Sequence, residues 1–381
     1  MRAKICYAHD MQSIYDQLFL KTLSKKYNTC LVTFDEVKVV PGGVKIFKLP
    51  DLPIKIRPHK VELLIKTPLR LIFFRLYLSK LKPDLLDGCW VTVYGFYSAI
   101  SNIKPFLATV WGSDVLLNPK NPLLRAIAKY TLKRADGVIV DSVVQENAVI
   151  GLGCKKDKIW KFPWGIDLEK FKSSVEGREI KRLLGWENHP IVICTRAHKP
   201  IYGIEYLIKA IPLVVGTNPE ARFLIIGEGP LTESFKRMVQ EYRVEKYVKF
   251  IGTIPNEEMP RYLGAASVYV STSFSDGTSI SLLEAMACGL SVIVTDIPGN
   301  REWVKDGENG YLVPVKDHVA LAEKIKILLA EKSLQDKMRM KNIKLIEERG
   351  DWRKNREIFY NAIQSLLKLY KHVKNENVKL N

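Results

Sequence analysis

Residues 271–304, STSFSDGTSISLLEAMACGLSVIVTDIPGNREWV, set one carboxylate, Asp276, eight positions before another, Glu284. SVYVST (267–272) reads as a buried strand, SDGTS as a polar turn, ISLLEAMACG as a short apolar helix ended by Gly289, and SVIVT as the next strand. Glu284 then lies in a helix among Leu282, Leu283, Ala285, Met286 and Ala287. An ionised carboxylate there costs several kcal/mol of desolvation unless a partner or a ligand hydroxyl satisfies it. The turn Gly277-Thr278-Ser279 offers backbone amides and the positive end of a helix dipole, which suits a phosphate or a sugar oxygen.

The same strand–helix alternation runs outward in both directions. In the first half, strands are expected at KICYA, CLVTF, VKIFKL, LLDGC, FLATV and GVIVDS, with helices at DQLFLKTLSKKY and PLLRAIAKYTLKRA. The second half restarts the pattern with PIVICT, RFLIIG, VKFIG, SVYVST and SVIVT, and helices at IEYLIKAIPLVV, LTESFKRMVQEY, NEEMPRYLGA and around Glu284. Such alternation predicts an α/β fold of parallel sheets with crossover helices. The stretch from Pro163 to Gly185 lacks a strand period and marks the boundary. Three regions are expected: 1–167, 168–350, and a last segment 351–381 whose helix runs from about Trp352 to Tyr370 before a frayed tail.

Composition narrows the function classes. A chain of 381 residues, 47% hydrophobic and 26% charged, is globular and long enough for two cores. Its six cysteines are scattered without a CxxC pair, which suggests neither a disulfide framework nor a zinc site. MRAKICYAHD enters a strand directly, so a cytoplasmic chain is expected, and no run approaches the ~18 apolar residues of a membrane span. The net charge is +18. Residues 55–82 hold eight Lys or Arg against Glu62, interleaved with aliphatic and aromatic residues. That pattern fits a helix lying on an anionic membrane surface, and equally a core-packing helix with a solvated basic face. Nucleic-acid binding is not expected, since no recognition module or Arg-rich arm accompanies the charge.

The segment Asp276 to Glu284, with EAMACGLSVIVTDIPGNREWV and ENGYLVP after it, resembles the retaining, nucleotide-sugar-dependent glycosyltransferases of the GT-B fold, specifically the GT4 group. PWGIDLEKF resembles that group's hinge-entry segment. The resemblance implies two Rossmann-like parallel-sheet domains facing across a cleft, with the C-terminal helix returning to the first. It assigns the hydroxyls of the transferred sugar to Asp276, Gly277 and Thr278, and the nucleotide ribose to Glu284, with Ser279 also among the donor-binding residues. The family's usual first residue is Glu, so Asp276 is a departure that bears on donor-sugar identity. Arg196 directly follows PIVICT and matches the family's diphosphate-binding Arg. The companion Lys normally precedes the Gly that opens the next helix, where this chain has Tyr202 before Gly203, so Lys199 is the nearest substitute. Gly227 and Gly229 of GEGPL line the nucleotide pocket by the same likeness, and the backbone at Phe250, Ile251 and Gly252 reads the base.

The first domain is expected to bind the acceptor, a glycan or a lipid-linked sugar. Trp111 stands where many family members carry a His, and Asp114 either binds an acceptor hydroxyl or caps a turn. His9, after the first strand, is a candidate for moving a proton from the acceptor, or a structural residue. There is no Asp-x-Asp to clamp a metal–diphosphate, so no metal and no cofactor are expected, and Arg196 with the amide nest at Gly277 would stabilise the leaving group. The resemblance implies retention by same-face attack. A catalytically silent GT-B partner subunit, or an epimerase-like GT-B enzyme, is the competing reading. The expected location is the cytoplasm or the inner face of the cell membrane.

Overall fold

The computed structural model describes residues 2–11, 14–37, 39–52 and 59–379. The chain divides into two compact units, Met1–Phe162 with Arg356–Asn381, and Pro163–Asn355. Among the described residues the first unit has seven strands: β1 (Lys4–Ala8), β2 (Asn28–Thr33), β3 (Val44–Lys48), β4 (Leu85–Cys89), β5 (Phe106–Thr109), β6 (Gly137–Val140) and β7 (Ile159–Lys161). They pair in parallel in the order β3-β2-β1-β4-β5-β6-β7. The second unit has six, β8 (Ile191–Cys194), β9 (Arg222–Ile226), β10 (Val248–Gly252), β11 (Val268–Ser271), β12 (Ser291–Thr295) and β13 (Tyr311–Val313), in the parallel order β10-β9-β8-β11-β12-β13.

Each sheet is covered on both faces, and that is why its strands read as unbroken apolar runs. In the second unit Ile191, Ile193, Leu224, Ile226, Val292 and Val294 point into one core. Their strand neighbours Val192, Cys194, Phe223, Ile225 and Ile293 point into the other. The period of two is present, but both phases are hydrophobic. In the first unit the last helix, Trp352–Lys379, supplies part of one layer from Arg356 onward: Tyr360 donates to the Thr22 carbonyl at 2.7 Å and Tyr370 to Asp136 at 2.8 Å.

The helix runs past the expected end at Tyr370 to Lys379. HVKNENVK contains no Gly or Pro to stop it. Residues 256–258 of NEEMPRYLGA form a turn, and the helix begins at Met259 with Pro260 in its first turn. Within the basic stretch, residues 55–58 lie outside the described residues, and a helix covers His59–Leu81.

Both sheets reverse strand order once, between β1 and β4 and between β8 and β11. Open α/β sheets bind ligands at the carboxyl ends of strands beside such a reversal. His9 follows β1 directly, Arg196 lies two residues past β8, and Asp276 lies in the loop after β11.

Candidate active site

At the reversal of the second sheet one buried cation organises the loop. Arg196, 8% exposed, donates from Nη2 to both carboxylate oxygens of Asp276, at 2.8 and 3.0 Å. Its Nη1 donates to Ser279 Oγ at 2.8 Å and to Ser281 Oγ at 2.9 Å, and Tyr269 of β11 donates to the same Ser281 oxygen at 2.9 Å. The guanidinium carbon sits 4.0 Å from the centre of the Tyr202 ring. Burial works against the charge, but the Asp276 carboxylate outweighs it, and the Arg196 pKa is raised. Ser279 occupies the N-cap of the helix Ile280–Ala287 without making a side-chain cap. Its hydroxyl holds Arg196, so the helix opens with no side chain on its first amides.

Glu284 is 5% exposed inside this helix. Asn256 donates its amide to Glu284 Oε1 at 3.3 Å, and Lys170 donates to the amide oxygen of Asn256. An ammonium only donates, so Asn256 must turn its carbonyl to Lys170 and its NH2 to Glu284. Two glycines allow the close approaches that bring the loop together. Gly227 has a φ of +127°, and a Cβ there would lie 2.6 Å from the Arg196 carbonyl oxygen. A Cβ at Gly299 would lie 2.3 Å from the Gly277 carbonyl oxygen and 2.4 Å from that of Asp276.

The reversal of the first sheet carries a second constellation. His9 is 2% exposed. Its Nδ1 is hydrogen-bonded to Asp16 Oδ1, which also accepts from the Tyr7 hydroxyl at 2.8 Å. A carboxylate accepts only, so Nδ1 carries the proton and Nε2 keeps its lone pair in the neutral ring. Nε2 has no hydrogen-bond partner, and Asp10 Oδ1 is 3.6 Å away. The Trp111 ring stacks on the imidazole with centroids 4.5 Å apart. Burial opposes the charged ring, yet the hydrogen bond and charge of Asp16, with Asp10 and Asp114 beyond, raise the His9 pKa. His9, Asp10 and Asp16 offer ligand atoms within 4.8 Å of one another. The two ring nitrogens face different carboxylates, Nδ1 bonded to Asp16 and Nε2 across 3.6 Å from Asp10 without a hydrogen bond.

Several expected residues come together and others do not. Arg196, Asp276 and Ser279 share one network, with Gly277 and Thr278 in its loop and Glu284 on the helix that follows. Gly227 abuts the Arg196 backbone, and its amide donates to the Gly252 carbonyl at 2.7 Å, so the strand end at Ile251 and Gly252 joins the same rim. Gly229 packs on the His198 backbone. Lys199 is exposed and has no ion-pair partner among the described residues, while Tyr202 takes the place beside Arg196. Asp114 is fully buried and accepts from the backbone amides of Val91 at 2.8 Å and Trp111 at 3.1 Å, so it holds the Trp111 loop; burial pushes its pKa up to about 6. Sequence reasoning missed Asp16, Asn256, Ser281 and Gly299. The Pro-Gly pair at 298–299 was the one local signal, since Asp16 and Asn256 reach their partners only through tertiary contacts.

Residues 177–345 match the family described as glycosyl transferases group 1, and residues 4–142 match the family described as glycosyl transferase 4-like. A GDP-mannose-dependent alpha-(1-6)-phosphatidylinositol monomannoside mannosyltransferase of Mycolicibacterium smegmatis is 30% identical over 177 residues, which span 44% of this chain and 46% of that relative. The chain thus spans about half the length of that curated relative. Sucrose-phosphate synthase of Thermosynechococcus elongatus superposes with a TM-score of 0.81 at 23% identity, over 98% of this chain and 100% of that one. Anabaena HepE in complex with UDP-glucose superposes with a TM-score of 0.79 at 19% identity, over 96% of this chain and 100% of that one. Fold and family agree: the chain belongs to the GT4-type, group 1 glycosyltransferases of the GT-B fold.

Proposed function

We propose that the protein transfers a sugar from a nucleoside-diphosphate sugar to a hydroxyl of a glycan or lipid-linked acceptor, with retention of configuration and without a metal. The observation that carries this reading is the buried Arg196 bound to Asp276, Ser279 and Ser281 at the reversal of the second sheet. A guanidinium with five donors can exchange the Asp276 carboxylate for diphosphate oxygens of similar geometry. The released Asp276 then accepts from sugar hydroxyls, and Glu284, oriented by Asn256, accepts from the ribose. The uncapped first turn of Ile280–Ala287 adds amide donors for the leaving diphosphate. The HepE complex with UDP-glucose and the GDP-mannose dependence of the mycobacterial relative support a nucleotide-sugar donor, and that relative's phosphatidylinositol acceptor supports a lipid-linked one.

The glycosidic bond to the diphosphate breaks while the acceptor oxygen attacks the same face of the sugar. The acceptor proton passes to the leaving phosphate. Asp276→Ala and Glu284→Ala should each remove transfer and donor hydrolysis, read by release of nucleoside diphosphate, from protein that still folds. Unchanged turnover in both variants would overturn the proposal.

A further inference from the structure

His198 lies two residues past Arg196, fully buried, and the backbone after β8 meets the loop after β9 on it. Its amide donates to the Glu228 carbonyl at 3.0 Å, and its carbonyl accepts from the Leu231 amide at 3.1 Å. The contact is as close as glycine allows, since a Cβ at Gly229 would lie 2.5 Å from the His198 carbonyl oxygen. Gly227 at the other end of the loop already abuts the Arg196 carbonyl and is bonded to Gly252. The loop from Gly227 to Gly229 therefore has no room to shift without moving the Arg196 backbone.

The His198 side chain closes the same joint. Nδ1 lies 2.8 Å from Thr232 Oγ1, at the start of the helix Thr232–Glu241. That hydroxyl also accepts from the Gly229 amide at 3.0 Å and donates to the Gly229 carbonyl at 2.9 Å. A hydroxyl has one proton and two lone pairs, so all three bonds form together only when Nδ1 carries the ring proton and donates it. Nε2 then keeps a lone pair, and it has no hydrogen-bond partner. The rings of Phe235 and Phe250 meet the imidazole edge-on, with centroids 5.4 and 6.0 Å away. Burial lowers the His198 pKa, which favours the neutral ring. An unpaired buried acceptor is destabilising, so packing alone favours an apolar residue here. What the imidazole adds is its bond to Thr232.

We propose that His198 and Thr232 are positioning residues for the leaving diphosphate, an assignment that rests on the second unit binding a nucleoside diphosphate. They lock the loop from Gly227 to Gly229 and, through it, hold the backbone from which Arg196 reaches. The guanidinium itself is held separately by Asp276, Ser279 and Ser281, so release of the loop leaves that network formed but displaces its base. Both side chains act through one bond on one loop, and their contributions are coupled.

Isothermal titration with UDP, GDP and ADP, with thermal melting of the same preparations, tests this. His198→Leu keeps most of the volume and removes the donor. His198→Asn keeps an N–H near the place of Nδ1 and opens a void beside Phe235 and Phe250. The diphosphate that binds the wild-type protein best should bind His198→Leu and Thr232→Val about tenfold more weakly. It should bind His198→Asn and Thr232→Ser within about twofold of wild type, although His198→Asn melts below His198→Leu. His198→Leu combined with Thr232→Val should bind no more weakly than either alone, because the joint is lost once. A packing role reverses the order: affinity would follow melting temperature, and His198→Asn would bind more weakly than His198→Leu. That reversal, additive losses in the double variant, or unchanged affinity in both His198→Leu and Thr232→Val would overturn the proposal while the donor reading stands. Binding of none of the three diphosphates by the wild-type protein would overturn the donor reading and this assignment with it.

Discussion

Replacing Asp276 by alanine separates the two roles assigned to it. In the free protein its carboxylate neutralises a guanidinium that is only 8% exposed, through bonds of 2.8 and 3.0 Å. Removing one member of a buried ion pair costs roughly 3–5 kcal/mol, because the remaining charge is left without a counter-ion. The lower end applies here: the Asp276 side chain keeps 15% exposure, so water enters the vacated space, and Ser279 and Ser281 still hold Nη1. A loss of about 3 kcal/mol lowers the melting temperature of a unit this size by roughly 6–12 °C. Binding of a nucleoside diphosphate should move the other way. If Arg196 must turn from Asp276 to bind a diphosphate, the apparent affinity of the wild-type protein is reduced by the population of that state. Without Asp276 that reduction disappears, so UDP or GDP should bind about five- to tenfold more tightly while sugar transfer is lost. Thermal melting and isothermal titration on the same preparation read both effects. An Asp276→Ala protein that melts within a degree of wild type, or whose diphosphate affinity falls in step with its turnover, would refute the reasoning.

Three further perturbations follow from the geometry. Gly299→Ala places a methyl 2.3 and 2.4 Å from two backbone oxygens of the Asp276 loop, so about 1–3 kcal/mol of stability and most transfer activity should be lost together, by melting and product release. Asn256→Ala removes the donor that orients Glu284 and should weaken a ribonucleotide about tenfold with little effect on its 2′,3′-dideoxy analogue, read by titration. Asp16→Asn concerns pH. The His9 pKa is raised above its ordinary 6.5, so the pair stabilises the folded state below that value and the contribution disappears as pH rises through the raised pKa. The stability penalty of Asp16→Asn should therefore be largest near pH 5 and shrink by pH 9. Thermal melts of the variant and the wild-type protein at pH 5, 7 and 9 check this, and a penalty that does not vary with pH would contradict it.

Much of this arrangement was visible in the chain because parallel sheets make apolar runs bounded by polar turns. The runs at PIVICT, RFLIIG, VKFIG, SVYVST and SVIVT became β8, β9, β10, β11 and β12 within a residue or two at each end. The runs that escaped were short sheet edges: β7, IWK, is only partly buried, and β13 is three residues long. Helix Tyr94–Ser101 also went unread, because six of its eight residues are buried and no polar face marks its period. At the site, Arg196 and Asp276 were legible from position beside strands, but their mutual pairing was not. A motif assigns each a ligand, whereas in the free protein each is the other's counter-ion. Asp114 shows the opposite limit, since a carboxylate after a strand reads the same whether it faces an acceptor or its own backbone amides.

The central claim is that the second unit binds a nucleoside-diphosphate sugar through Arg196, Asp276 and Glu284 without a metal. The direct measurement is isothermal titration of the wild-type protein with UDP-, GDP- and ADP-sugars in the presence of a chelator. The account predicts saturable binding of at least one of them, abolished in Glu284→Ala and unaltered by added magnesium. Absence of binding by all three, or binding that appears only when a divalent cation is restored, would contradict it.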